Sequence, residues 1–406
     1  MDNQEMQNIV HTYGTPCFVF DEISLERRMK EVKTIVGSNV HLCYSIKANP
    51  FLISKMKSLV ELLEVCSPGE LEICNAIGIA PDMILFSGVN KTREDIENAI
   101  CYGVRRFTAE SLLHVKFLNE AALRHNISLQ ILLRLTAGSQ FGMDKNDLLN
   151  VISKREHLVG LTIEGIHYFA GTQRKKLSAQ RKEIAMLVDL IDELKADYGF
   201  NVQKIEYGPG LFYPYFVNED NTDTLAPLRE LQCDLVQLNR KVELTIEMGR
   251  FFASECGTYL TKVVDTKTNL GSHYAILDGG IHHVNYYGGN MGLRIPHIKF
   301  LHSGDSISET SKEWVLCGSL CTTADIIVRS IPICGLAIGD VLAFENIGAY
   351  SVTEGPCLFL SRNMPRILLR NEEGIQIARD VVHTSVLNCP DFFLHNKENE
   401  NERNNY

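Results

Sequence analysis

From residue 40 to about 250, short apolar runs rich in β-branched residues alternate with stretches whose apolar positions recur at i, i+3 and i+4. Eight runs read as strands, at 41–46, 62–65, 83–86, 105–107, 129–135, 161–169, 203–206 and 243–247. Helical periodicity fills most of the intervals, most plainly over 110–123, 145–154 and 179–197. A strand followed by a helix before the next strand builds a parallel sheet, and eight such repeats close into a barrel.

After about residue 253 the pattern changes. Strand-like runs at 258–264, 273–277, 314–317 and 341–344 follow one another without long helices, punctuated by Gly, Asn and Pro. A short strand at 17–20 precedes the barrel and suits the same β module. The expected class is therefore α/β plus all-β. An N-terminal (β/α)8 TIM-like barrel over 25–253 is joined to a C-terminal β-sandwich or β-barrel domain made from 1–24 and 254–395. The charged, Asn-rich stretch 396–406 reads as a disordered tail.

Composition narrows the function classes. With 406 residues, 45% hydrophobic and 22% charged, the chain suits two globular modules. No apolar run approaches the roughly 20 residues that span a bilayer. The first ten residues lack the basic and apolar regions of an export signal, so a cytoplasmic protein is expected. A net charge of −10 without a long basic run argues against broad nucleic-acid binding. Twelve cysteines without CxxC spacing read as free thiols, and no metal site is expected.

Candidate chemistry collects where a β/α barrel places its active site, at the C-terminal ends of its strands. Lys47 follows the first strand in Tyr-Ser-Ile-Lys47-Ala-Asn-Pro. Burial in a barrel mouth lowers a lysine's pKa and frees its amine for imine formation. Strand seven leads into Tyr-Gly208-Pro-Gly210-Leu, and strand eight into Glu247-Met-Gly249-Arg250. Glycine-rich turns in these two places let backbone N–H groups approach a phosphate. Either turn alone is a weak signal; together with a lysine after strand one they suggest pyridoxal phosphate (PLP). Glu247 then has a role, since a carboxylate against the pyridine nitrogen keeps it protonated and the ring electron-accepting.

These residues resemble the fold-type III PLP decarboxylases, which include diaminopimelate and ornithine decarboxylases. The likeness runs from about Thr15 to Leu369. It takes in the Lys47 segment, Glu64-Val-Cys-Ser-Pro-Gly-Glu70, Gln140-Phe-Gly-Met-Asp144 and Gly165-Ile-His-Tyr-Phe169-Ala-Gly171-Thr172-Gln, then the two glycine turns. Asp278-Gly-Gly280, Gly318-Ser-Leu-Cys321 and Gly348-Ala-Tyr350 follow in the same order. The resemblance implies that Lys47 is the Schiff-base lysine and Glu247 the pyridinium partner. It implies that Thr172, Gly208, Gly210, Gly249, Arg250 and Tyr350 contact the phosphate. It also implies a homodimer in which the β domain of one subunit completes the site of the other and Cys321 donates a proton at Cα.

The departures from that family bear on substrate. A histidine usually stacks on the cofactor two residues before the glycine of the Gly-Ser motif; Phe169 stands there, so His167 is not given that role. No arginine precedes Tyr287 in the segment that grips the distal end of diaminopimelate, and Thr322 replaces the acid that faces a distal amine. Without that acid a terminal ammonium is poorly held. The Gly-Gly-Ile-His282-His283 run resembles a branch that includes the butirosin-pathway decarboxylase acting on carrier-tethered glutamate and siderophore-pathway decarboxylases. The resemblance implies a glutamyl-like substrate, with His282, His283, Tyr287 and Thr322 facing it or its pantetheine arm.

An acidic carrier protein would need a basic dock, for which Arg174-Lys175-Lys176 with Arg181-Lys182 is a candidate. The alternatives are diaminopimelate decarboxylase proper, an amino-acid racemase, and a non-catalytic binding relative. Racemases of this fold place an arginine at the pyridine nitrogen, so Glu247 argues against the second. Intact Lys47, Glu247 and Cys321 argue against the third.

Overall fold

A computed structural model describes residues 1–286, 292–304 and 310–390. The chain divides into two compact units. One comprises Ser24–Pro214 and Asp220–Ser254; the other comprises Met1–Ile23, Tyr215–Glu219 and the chain from Glu255 onward. The short 215–219 segment carried no sign in the sequence that it belongs with the β strands. The tail beyond 390, with the disorder expected there, and Tyr287 lie outside the described residues.

The strands run in chain order from β1 (Cys17–Asp21) through β2 (His41–Ser45), β3 (Leu62–Val65), β4 (Ile84–Phe86) and β5 (Arg106–Ala109). They continue with β6 (Leu129–Arg134), β7 (Leu161–Phe169), β8 (Lys204–Gly208) and β9 (Glu243–Met248). Strands β2 to β9 form a closed parallel barrel, β9 pairing back onto β2. Because βα connections bury both faces of such a sheet, these strands read as near-continuous apolar runs. Each of the eight expected runs falls on a barrel strand, with ends shifted by up to two residues.

The helices between them are set by local caps. Ser67 Oγ accepts the Glu70 N–H at 3.2 Å to start the helix Pro68–Ala76. Thr92 and Asp95 form a reciprocal capping box on Arg93–Tyr102. Ser111 caps Leu112–His125, so that helix begins two residues later than its periodicity suggests. The long helix Leu177–Tyr198 turns Ile184, Leu187, Leu190, Ile191 and Leu194 inward and ends at Gly199 with φ +57°.

In the other unit, β10 (Gly257–Asn269) is followed by β11 (Ser272–Leu277), β12 (Ile298–Leu301), β13 (Ser311–Cys317) and β14 (Ile326–Cys334). Then come β15 (Val341–Glu345), β16 (Arg366–Asn371) and β17 (Gly374–Arg379). Their mostly antiparallel nine-stranded sheet runs β14-β13-β11-β10-β1-β16-β17, with β12 and β15 attached beside β10. Strand β10 turns the corner. Its first half pairs with β1 and β15, and its second half, beyond a bulge between Val263 and Asp265, pairs with β11. β1 lies between β10 and the parallel strand β16. Strands β12, β14, β16 and β17 were not singled out in the sequence, and neither was the amphipathic helix Asn3–Tyr13. That helix buries Met6 and Ile9 against Cys17, Val19, Leu260 and Leu368 of the sheet.

Candidate active site

Lys47 lies in a 3-10 turn (Ile46–Ala48) just past the end of β2, rather than at the strand's last residue. The turn is stitched in place: Tyr44 Oη donates to the Asn49 carbonyl at 3.0 Å, and the Asn49 side chain accepts the Phe51 N–H at 3.1 Å. Ala48 packs so closely on the loop after β9 that a Cβ added at Gly249 would come within 2.7 Å of the Ala48 methyl. Here glycine is required by the fit of two backbone turns on either side of the barrel closure.

The lysine side chain leads into an acidic pocket. Its Nζ donates to the buried Glu64 of β3, lies 3.8 Å from Glu247 Oε1 and 3.5 Å from Cys66 Sγ. Glu64 in turn accepts from the Cys66 thiol at 3.2 Å. Burial, then the Glu64 charge, push that thiol well above its ordinary range.

Glu247 is buried near the end of β9 and fully engaged. Ser45 Oγ donates to Oε1 at 2.9 Å, and His167 Nε2 lies 2.8 Å from Oε2. An ionised carboxylate only accepts, so this contact requires the tautomer that carries its proton on Nε2. Burial opposes the charge on Glu247, but Lys47 and His167 outweigh it and hold the carboxyl below the usual range. A permanently ionised carboxylate in a dry site holds a proton on a facing ring nitrogen.

The phosphate candidates fall on loops that are zipped together. Arg174 N–H donates to the Gly210 carbonyl at 3.0 Å, and a Cβ at Gly210 would lie 1.7 Å from the Gly171 carbonyl oxygen. Gly208 stands in register with Phe169, where a Cβ would meet the phenyl ring at 2.5 Å. Thr172 is half-buried in the loop after β7, and Arg250 opens a short helix, Arg250–Ala253. The loops after the sixth and seventh barrel strands are thus locked together by close backbone approach, an arrangement that suits a phosphate.

The remaining candidates belong to the β unit. Cys321 and Thr322 are exposed in the loop between β13 and β14, which is held by Asp325 accepting the N–H groups of Ile281 at 2.9 Å and Leu320 at 2.7 Å. Tyr350 adopts φ +69° beside a short helix, Ser351–Glu354. His282 and His283 are buried against each other, with ring centroids 3.7 Å apart and planes tilted by 41°. His283 is engaged on both nitrogens, with Tyr259 Oη at 2.9 Å and the Asn363 carbonyl at 3.3 Å. His282 Nδ1 has no hydrogen-bond partner. Of the basic dock residues, Arg174 is bound to Glu183 and Arg181 reaches Asp234, so neither cation is unneutralised.

Several site residues escaped the sequence reading. Ser45, His167 and Glu206 are polar positions inside apolar strands, which a count of strand periodicity passes over. Lys91, after β4, is 3% exposed and donates to the Gly88 carbonyl; burial brings its amine down to about 8. Its side chain is buried, whereas that of Lys47, expected to be buried in the barrel mouth, is 37% exposed.

A β/α barrel with a lysine just past one strand, a buried ionised carboxylate near the end of another, and glycine turns after others suits a phosphate-bearing pyridine aldehyde. Residues 22–254 match the family model described as "Pyridoxal-dependent decarboxylase, pyridoxal binding domain". The chain belongs to this family of PLP-dependent carboxy-lyases, and PLP is its cofactor. Among curated relatives it is 26% identical to the L-glutamyl-[BtrI acyl-carrier protein] decarboxylase of Niallia circulans, covering 93% of this chain and 94% of that one. It is 28% identical to the diaminopimelate decarboxylase of Vibrio cholerae, covering 86% of each. The solved diaminopimelate decarboxylase of Methanocaldococcus jannaschii shares the fold, with a TM-score of 0.82 at 22% identity over 93% of this chain and 92% of that one. No helix of the described residues is long and apolar enough to cross a membrane.

Proposed function

We propose that this protein removes the α-carboxylate from a glutamyl-like substrate tethered to a carrier protein, within a biosynthetic pathway. When bound, PLP supplies an aldehyde that captures an amine and a ring that accepts the electron pair of the breaking Cα–carboxylate bond. The chain's residues do the rest. Lys47 provides the amine that holds the cofactor until substrate replaces it. Glu247, kept ionised by Lys47 and His167, holds the proton on the pyridine nitrogen. Phe169 covers one ring face, while Thr172, Gly208, Gly210, Gly249, Arg250 and Tyr350 bind the phosphate. Cys321 returns a proton to Cα from the partner subunit of a homodimer, and His282, His283, Tyr287 and Thr322 face the substrate.

The observation that carries the substrate reading is Thr322. Its hydroxyl accepts the Ala324 N–H at 3.2 Å, and it stands where an acid would meet a distal ammonium. A hydroxyl there leaves such a charge unneutralised, whereas an acyl-linked glutamyl group carries none. The likeness to the Niallia circulans enzyme supports the same reading. A second reading, diaminopimelate decarboxylase, is favoured by the likeness to the Vibrio cholerae enzyme. A carbon dioxide release screen on free amino acids and on glutamyl-carrier protein separates them. Fastest release from the tethered glutamyl group is expected; far faster release from free diaminopimelate would establish the second reading instead.

A further inference from the structure

The barrel core holds buried carboxyls that the reaction above does not use, Glu64 and Glu206. Glu206 of β8 is 1% exposed, and its Oε1 has no hydrogen-bond partner. It stands in register with His167 on β7 and Thr245 on β9, one layer below Glu247. Ligand-capable atoms of His167, Glu206 and Glu247 all lie within 4.8 Å of one another. The titratable groups facing Glu206 are Cys43 of β2, Glu64 of β3, His167 of β7, Glu247 of β9 and, more distantly, Lys47. Lys47 already pairs with Glu64 and Glu247, so three buried carboxyls share a single lysine. An unpaired third charge in that core would be strongly disfavoured.

Glu206 also borders a cavity of about 250 Å³ at the opposite, N-terminal mouth of the barrel. Glu61, Asp82, Arg106, Glu164, Lys204 and Glu243 line it, several of them at the first residues of barrel strands. Leu85, Phe107 and Ile205 line it as well, and at about 30 Å³ per molecule a space of this size beside those charged groups has room for several waters.

We propose that Glu206 is a positioning residue, held as a neutral carboxylic acid, that turns its O–H toward the Glu247–His167 pair and exchanges its proton with solvent through the cavity below. The neutral acid adds a donor beside the Glu247 anion without adding charge. Burial foremost, then Glu247, hold the Glu206 carboxyl well above the usual range. The role in catalysis rests on Glu247 facing the pyridine nitrogen; the protonation state and the solvent route do not.

Infrared difference spectra of the cofactor-free full-length chain, wild type against E206Q, test the protonation state. At neutral pH a protonated-carboxyl C=O band is expected that E206Q removes. Loss of carboxylate bands alone overturns the proposal, as does stoichiometric zinc or manganese binding that E206Q abolishes. In the PLP-loaded protein the band should still shift promptly on transfer to D2O; a band that stays put contradicts entry from below. E206L should lower kcat roughly 10-fold with KM little changed, and E206Q should recover most of that loss. Equal losses in both variants contradict the positioning role. If PLP failed to bind at all, the infrared arm would still decide the state of Glu206, while a failed infrared arm leaves the Lys47 assignment intact.

Discussion

His167 Nε2 lies 2.8 Å from Glu247 Oε2 inside the barrel, with Lys47 3.8 Å from the other oxygen of the same carboxylate. Lys47 and His167 together favour the charge on this buried carboxylate, which burial by itself opposes. The lysine proposed to carry the cofactor and the carboxylate proposed to prime its ring are thus parts of one electrostatic unit.

Replacing Glu247 with Gln keeps the size and the Ser45 contact but removes the charge. The Glu247→Gln protein should retain bound PLP by absorbance while kcat falls on the order of 10²-fold or more. A kcat within a few fold of wild type would take the pyridine nitrogen out of this residue's care.

At Gly210 the constraint is backbone. Its φ of +58° and the 1.7 Å approach of a Cβ to the Gly171 oxygen leave no room for a methyl group. Gly210→Ala should destabilise the protein by about 1–3 kcal/mol and weaken PLP binding. Equilibrium urea unfolding and cofactor titration measure the two effects. An alanine variant equal to wild type in both would mean the loops after β7 and β8 are not locked together.

The adjacent buried histidines of the β unit give a pH signature. Burial, then Arg362, bring His282 down from 6.5 to about 4; burial, then His282, bring His283 down to about 3. The unfolded chain binds protons on these rings at a higher pH than the folded one. Their contribution to stability is therefore complete above about 6.5 and is lost as pH falls toward 4. His282→Phe should flatten the fall of the thermal midpoint between those pH values. Parallel curves for variant and wild type would show that His282 already takes up its proton in the folded state.

Much of this was legible in the sequence for physical reasons. Barrel strands buried on both faces must be apolar throughout, so runs such as 129–135 and 161–169 stand out. Lys47, Glu247 and the glycine turns were legible because the barrel assigns chemistry to strand ends. Strand β16 and the edge strand β17 were not, since both mix polar and apolar residues without clean alternation, as in Arg366–Asn371. Nor was the acid–histidine core: a Glu or His inside a strand says nothing of which side chain it meets across a closed barrel. Glu206, His167 and Glu247 converge from three neighbouring strands about 40 residues apart in the chain.

The central claim, that Lys47 carries the cofactor, is tested most directly by reducing the PLP-loaded protein with borohydride and mapping the phosphopyridoxyl label by peptide mass spectrometry. The label should fall on the peptide containing Lys47, and Lys47→Ala should lose both the label and the cofactor's absorbance. Label on Lys91, a buried lysine after β4, with absorbance intact in Lys47→Ala, would contradict the account.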